Sequence, residues 1–420
     1  MPQVASKEIE IVMLDAAAIR ADFPLLNDKV VGQSLHYLDN AATTHKPACV
    51  IDAIADCYRH HYGPVHRGLY PLAEDASSRY EQARARVARF IGAPAPEQLI
   101  FTRSTTESIN MVARGWAHSR LRAGDEVWVS RMEHHANFLP WQAICRETGA
   151  RLRIIELQDD GSLDITGASG LFGPRTKLIA ISHVSNVLGV INPIRAIVEQ
   201  ARARAIPVLV DAAQSAGHIA LNVAELNCDF LAFSAHKIFG PSGIGVLYAK
   251  AKRLQEMEPL LLGGGMVDSV GATESVWAPY PAKFEAGSPS LADALGFAAA
   301  VGYIENTGID ALHAHVSQLT QQALQALMQL PGVDIYGPRE VERRAGIIAF
   351  NVAGVHPHDV AQTAGEHGVA IRAGHHCCQP LMQHFGVAGM VRASFAPYNR
   401  SADIEALVES VAMTRKLYAL

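Results

Sequence analysis

Residues 207–214 read Pro207-Val208-Leu209-Val210-Asp211-Ala212-Ala213-Gln214, and residues 230–237 read Phe230-Leu231-Ala232-Phe233-Ser234-Ala235-His236-Lys237. Each opens on a short unbroken apolar run, the pattern of a strand covered on both faces. Each ends in polar side chains, which such a strand delivers to the carboxyl edge of a sheet. Comparable runs at Leu99–Thr102, Glu126–Ser130, Arg151–Leu157, Lys177–Ser182 and Gly245–Tyr248 alternate with helix-like segments. In Leu72–Ile91, for example, Leu72, Ala76, Tyr80, Ala83, Val87 and Phe90 recur at spacings of four and three and share one face. The alternation predicts an α/β fold with a mainly parallel sheet of seven strands.

A chain of 420 residues exceeds what one ordinary core holds, so two lobes with a cleft between them are expected. Beyond Gly308 the pattern changes to a long helix over Ile309–Leu327, strands at Val333–Tyr336 and Ile347–Val352, a helix, a strand into Gly374 and a terminal helix after Ser401. This reads as a smaller α+β lobe over 308–420, following a large lobe over 35–307. Residues 1–34 are expected to pack on the small lobe.

The formal net charge of −5 offers no electrostatic footprint for nucleic acid. The first thirty residues carry Glu8, Glu10 and Asp15 and lack the basic start and apolar run of a secretory signal, which points to the cytosol. The longest apolar stretch, Ala294–Ile304, falls short of the roughly eighteen residues a spanning helix needs, so no membrane role is expected. Six cysteines are scattered without a disulfide framework. Cys49, Cys57, Cys145 and Cys228 lie in apolar surroundings and read as small buried hydrophobes.

Chemistry concentrates at the strand ends. Asp211 taken alone fits a helix N-cap, and Lys237 alone fits a surface lysine. Together they match pyridoxal phosphate, which needs a lysine for its covalent link and an acid against the pyridinium nitrogen to keep the ring an electron sink. Ser104-Thr105-Thr106-Glu107 is a Ser-x-x-Glu capping box opening a helix, a ready phosphate seat as well as a plain cap. The turn Gly240–Gly245 lacks the G-x-G-x-x-G order, so a nicotinamide dinucleotide is not favoured. In Glu133-His134-His135-Ala136-Asn137 an imidazole follows a strand end and can stack on an aromatic ring.

In Arg372-Ala373-Gly374-His375-His376-Cys377-Cys378-Gln379-Pro380 a thiol sits among a cation and two imidazoles, neighbours that lower a thiol pKa. Four consecutive potential ligands lack the spacing of a structural zinc site, so no metal is expected. The local chemistry does not separate Cys377 from Cys378. Downstream, Arg392 opens Arg392-Ala393-Ser394 at a strand start, suited to a bidentate grip on a carboxylate.

These motifs together, with Tyr37-Leu38-Asp39-Asn40-Ala41-Ala42, Val65-His66-Arg67-Gly68, Ser185-Asn186-x-x-Gly189 and Phe284-Glu285-Ala286-Gly287, resemble the type II cysteine desulfurases of the SUF and CSD class. Those enzymes are related to selenocysteine lyases within the class V aminotransferase superfamily, and the likeness runs nearly the full length. The resemblance implies a homodimeric fold-type I enzyme with pyridoxal 5'-phosphate on Lys237. Asp211 and Gln214 would hold the ring nitrogen and phenolic oxygen, and His134 would stack on the ring. Thr106, Ser234 and His236 would hold the phosphate, with Thr105 beside them. Ser288, where the family usually has threonine, would reach the neighbouring subunit's phosphate. Asn186 and Arg392 would bind the substrate carboxylate, with Arg372 and His66 also at the substrate.

The implied reaction converts L-cysteine to L-alanine and leaves the sulfur as a persulfide on Cys377, for iron-sulfur clusters or other sulfur-containing cofactors. A sulfur-acceptor protein of the SUF or CSD type would then clear it. Two departures accompany the match: Ala235 stands where glycine is usual, and Cys378 where no thiol is usual, so a second thiol is placed to accept the persulfide or be oxidised alongside. The rival readings are a selenocysteine lyase, an aminotransferase or epimerase of the same superfamily, and an inactive scaffold that binds an iron-sulfur assembly partner.

Overall fold

The computed structural model describes residues 14–27, 34–165 and 172–419. The first strand, β1 (His36–Tyr37), precedes a central sheet built from β2 (Leu99–Thr102), β3 (Glu126–Ser130), β4 (Arg151–Ile155), β5 (Thr176–Ser182), β6 (Val208–Asp211), β7 (Phe230–Ser234) and β8 (Gly245–Ala249). Their order is β2-β8-β7-β6-β5-β3-β4, and β8 alone runs antiparallel to its neighbours. The seven-stranded, mainly parallel sheet is thus as the alternation predicts. Its inner strands β6 and β7 are buried at every position, which is why their sequences are continuously apolar rather than alternating. The strand expected over Arg151–Leu157 stops at Ile155, and Leu157 turns aside into an isolated bridge with Leu163.

Parallel register brings the functional strand ends level. Ser182 pairs with Asp211 across β5 and β6, and Asp211 pairs with Ala232 across β6 and β7. Helices Pro71–Phe90 and Leu291–Thr307 cover one face, and the apolar stretch Ala294–Ile304 lies within the second of them. Among the described residues no helix is long and apolar enough to cross a membrane.

A hairpin of β9 (Val267–Val270) and β10 (Ser275–Trp277) follows, largely exposed. A second sheet joins β11 (Val333–Tyr336), β12 (Ile347–Val352), β15 (Met390–Ser394) and β14 (Arg372–Gly374) in that order, antiparallel throughout. Helices Ile309–Met328 and Ser401–Leu417 cover it through Val316, Leu324, Leu407 and Val411. Residues 36–39, read from sequence with the large lobe, are bonded into this smaller one: β1 pairs in parallel with β13 (Val369–Ala370), and Leu38 joins its core.

Residues 14–27 bridge the two parts. Phe23 meets the rings of Phe239, Tyr303 and Tyr398 edge-on at 5.6, 5.7 and 4.7 Å, so this segment packs on the large lobe as well as the small one. The rest of the expected N-terminal segment, residues 1–13 and 28–33, lies outside the described residues. Cys57, Cys145 and Cys228 are buried as their surroundings suggest. Cys49 is not: it is exposed on helix Ala48–Asp56, whose buried position is Val50.

Candidate active site

The carboxyl edge of the central sheet, the loop before helix Thr105–Val112 and the turn between β14 and helix Gln379–Phe385 enclose a cavity of about 340 Å³. Lys237, Asp211, Gln214, His134, Thr105, Thr106, Ser234, His236, Asn186, Arg372, Arg392 and Cys377 all line it. Two expected residues do not. Ser288 lines a separate cavity with Glu285 and Tyr80, and His66 is exposed with its Nε2 3.2 Å from Glu81. Both lie beside Tyr80, with the rings of His66 and Tyr80 6.0 Å apart.

Lys237 sits in a short turn at the end of β7, and its amine has no hydrogen-bond partner among the described residues. Burial, partly offset by Asp211, lowers its pKa to about 8. The turn is fastened from behind: the His236 carbonyl accepts from Thr44 N (3.0 Å), Thr43 Oγ1 and Thr44 Oγ1 (both 3.1 Å) and Lys46 Nζ (3.3 Å). Among the described residues the buried Asp211 carboxyl accepts only the Ala213 N–H, at 2.9 Å, and burial raises its pKa. Gln214 donates to the Ala41 carbonyl at 2.7 Å.

His134 is held in one tautomer. Its Nδ1 accepts the Ala136 N–H at 3.0 Å, and burial lowers its pKa to about 4, so the ring is neutral with its proton on Nε2. At the helix start Ser104 caps Glu107 N, and Ser234 Oγ accepts the Thr105 N–H at 2.8 Å. The capping box is half formed, because the Glu107 carboxylate takes the Arg103 N–H instead of that of Ser104.

The structure separates the two thiols that the sequence left together. Cys377 is exposed and lines the cavity, whereas Cys378 is fully buried and its thiol donates to the Glu133 carbonyl at 3.3 Å. Burial pushes the Cys378 thiol pKa far up, which keeps it protonated. His376 and Cys377 both have left-handed backbones, φ 50° and 55°, a conformation costing a non-glycine residue about 1–3 kcal/mol. Hydrogen bonds hold the turn there: His135 N to the Cys377 carbonyl (2.8 Å), Asn186 Nδ2 to the His376 carbonyl (2.9 Å) and His376 Nε2 to the Met390 carbonyl (2.8 Å).

Arg392 is buried, giving Nη1 to the Asn186 carbonyl at 2.8 Å and Nη2 to Asp39 at 2.9 Å, while Nε has no partner among the described residues. The other Asp39 oxygen accepts Arg372 Nε at 3.0 Å. Asp39 therefore anchors both arginines. It stands in the Tyr37–Ala42 motif, but a pairing across 333 and 353 residues leaves no local signal. Among the described residues no group of three metal-ligating side chains comes together.

Comparison with known proteins adds to this geometry. The model of the class-V aminotransferase family matches residues 36–407. The chain belongs to that family. Similar members include a probable cysteine desulfurase of Halalkalibacterium halodurans, 46% identical over 405 residues, covering 96% of this chain and 99% of the relative. A cysteine desulfurase of Cronobacter sakazakii is 45% identical over 400 residues, covering 95% and 98%. The crystal structure of the Escherichia coli cysteine desulfurase CsdA, in an S-sulfonic acid form, superposes with a TM-score of 0.89 at 39% identity over 96% of this chain and 99% of that one. The apo cysteine desulfurase of Thermococcus onnurineus superposes with a TM-score of 0.91 at 39% identity, covering 96% and 98%.

Proposed function

We propose that the chain is a pyridoxal-phosphate-dependent cysteine desulfurase that transfers the sulfur of L-cysteine to Cys377 and releases L-alanine. The observation that carries this reading is the exposed Cys377, held in a left-handed turn over the same cavity that contains the unpartnered Lys237 amine. An aminotransferase or epimerase has no use for a thiol fixed there. The residues present fit the cofactor: a free buried amine, a buried carboxyl short of partners at a strand end and a helix N-terminus face one cavity. Lys237 would carry the cofactor, Asp211 and Gln214 would hold its ring, His134 would lie against it, and Thr105, Thr106, Ser234 and His236 would hold its phosphate. When bound, the cofactor supplies an electron sink that acidifies the substrate Cα–H.

The chain's own groups do the rest. Arg392 and Asn186 would take the substrate carboxylate, with Arg372 beside them, and the Lys237 amine would move the proton at Cα. The Cys377 thiolate would attack the substrate sulfur, forming an S–S bond as the C–S bond breaks. The electron pair stays on the three-carbon fragment, which is protonated to alanine, and a reductant or acceptor protein then clears the persulfide.

The enzyme would act in the cytoplasm as a homodimer. In that dimer Ser288 and His66, which lie outside their own subunit's cavity, would serve the cavity of the second copy. Residues 35–307 and 308–420 would form the large and small lobes, with 36–39 stitched to the small one. A SUF- or CSD-type acceptor protein would receive the sulfur.

Alanine and sulfide measured together from L-cysteine with reductant test this reading: equal amounts are expected, and a protein that binds the cofactor yet leaves cysteine intact would overturn it. Arg392→Lys should raise KM for L-cysteine about 10-fold or more in the same assay. A lysine keeps the charge but loses the fork that Asp39 and Asn186 hold in place.

A further inference from the structure

Glu133 is fully buried next to the cavity, and among the described residues no cation pairs with it. Four donors saturate its carboxylate: Ser130 Oγ (2.5 Å) and Ser182 N (3.0 Å) on Oε1, and Asn137 Nδ2 (2.6 Å) and Ser182 Oγ on Oε2. Burial raises its pKa to about 7, against the pull of these donors. An unpaired buried acid is costly, and hydrophobic packing would fill the space more cheaply, so its presence asks for a role.

Its partners supply one. Ser130 and Ser182 end the adjacent strands β3 and β5, and Ser182 lines the cavity beside Asp211. Asn137 closes the turn that begins at His134, where its N–H donates to the His134 carbonyl at 2.8 Å and its side-chain oxygen accepts from Trp141 at 2.9 Å. The far side of that turn holds the sulfur loop: the Glu133 carbonyl accepts from the Cys378 thiol, His135 N donates to the Cys377 carbonyl, and His135 Nε2 accepts from Gln379 N at 3.3 Å.

We propose that Glu133 is a positioning residue for sulfur transfer: its carboxylate fixes the 133–137 turn to the sheet edge, and that turn sets both the His134 ring and the loop presenting Cys377. The inference rests on the desulfurase reading, and it leaves the Cys378 thiol as one contact among those holding the loop, not a carrier of sulfur.

The direct variant is Glu133→Gln, nearly the same in shape. Its amide end must face either Ser182 N or the Asn137 amide, so at least one donor meets a donor. The variant should load the cofactor, melt within a few degrees of the wild type and keep KM for L-cysteine within about 3-fold. Its kcat for alanine formation should fall about 10-fold or more, and iodoacetamide should alkylate Cys377 about 3-fold faster without substrate as the loop loosens. Ser130→Ala, which removes one donor outside the cavity, should move both readouts the same way by a smaller factor and serves if Glu133→Gln does not fold. Wild-type kcat and alkylation rate in both variants would overturn the inference. Alanine from the wild type in the same assay tests the desulfurase reading separately, and the alkylation rate does not depend on it.

Discussion

Cys377→Ala is expected to lower alanine and sulfide formation from L-cysteine by about 100-fold or more, equivalent to about 2.7 kcal/mol of barrier, with cofactor loading unchanged. Among the described residues no second thiol lines the cavity. Cys378 is adjacent in sequence, but its thiol is buried, protonated and bonded to the Glu133 carbonyl. Cys378→Ala should therefore keep activity within about 3-fold, and steady-state rates of the two variants measured side by side check the asymmetry. If Cys378→Ala were the inactive variant, the assignment of the nucleophile would be reversed.

Lys237→Ala is expected to have the larger effect, about 10³-fold or more, because it removes both the covalent seat of the cofactor and the base at Cα. Absorbance should show no lysine-bound cofactor in the variant. The wild type carries a related pH signature. Only the neutral amine condenses with an aldehyde, and burial brings the Lys237 pKa down to about 8. The rate of cofactor attachment to stripped protein should therefore rise with pH through an inflection near 8, not above 10. Stopped-flow absorbance across that range checks the sign: a rate falling with rising pH would contradict it.

The large sheet was legible because its strands are short, apolar and bounded by polar ends, so periodicity and burial carry the same message. Strands such as Phe230–Ser234 and Ile347–Val352 fall where the runs predict them. The partnership of 36–39 with 369–370 was not legible, since parallel pairing over more than three hundred residues leaves no mark in either segment. The exposure of Cys49 was missed for a related reason: an apolar neighbourhood in sequence does not say which helix face a residue takes.

The site shows the same division. Lys237 and Asp211 could be paired from sequence because each ends a recognisable strand. Cys377 and Cys378 could not be told apart, because their difference lies in backbone direction and in a contact with Glu133, neither of which a string of residues encodes. The roles of Asp39 and Glu133 as anchors likewise appear only when strand ends and loops are brought together in space.

The most direct test is mass spectrometry of the cofactor-loaded protein after L-cysteine without reductant, with free thiols trapped by alkylation and the peptide carrying both thiols fragmented. One added sulfur atom on Cys377, with none on Cys378 and alanine in the supernatant, is the predicted result. Alanine released with the extra sulfur on Cys378, or with no protein-bound sulfur at all, would contradict the account.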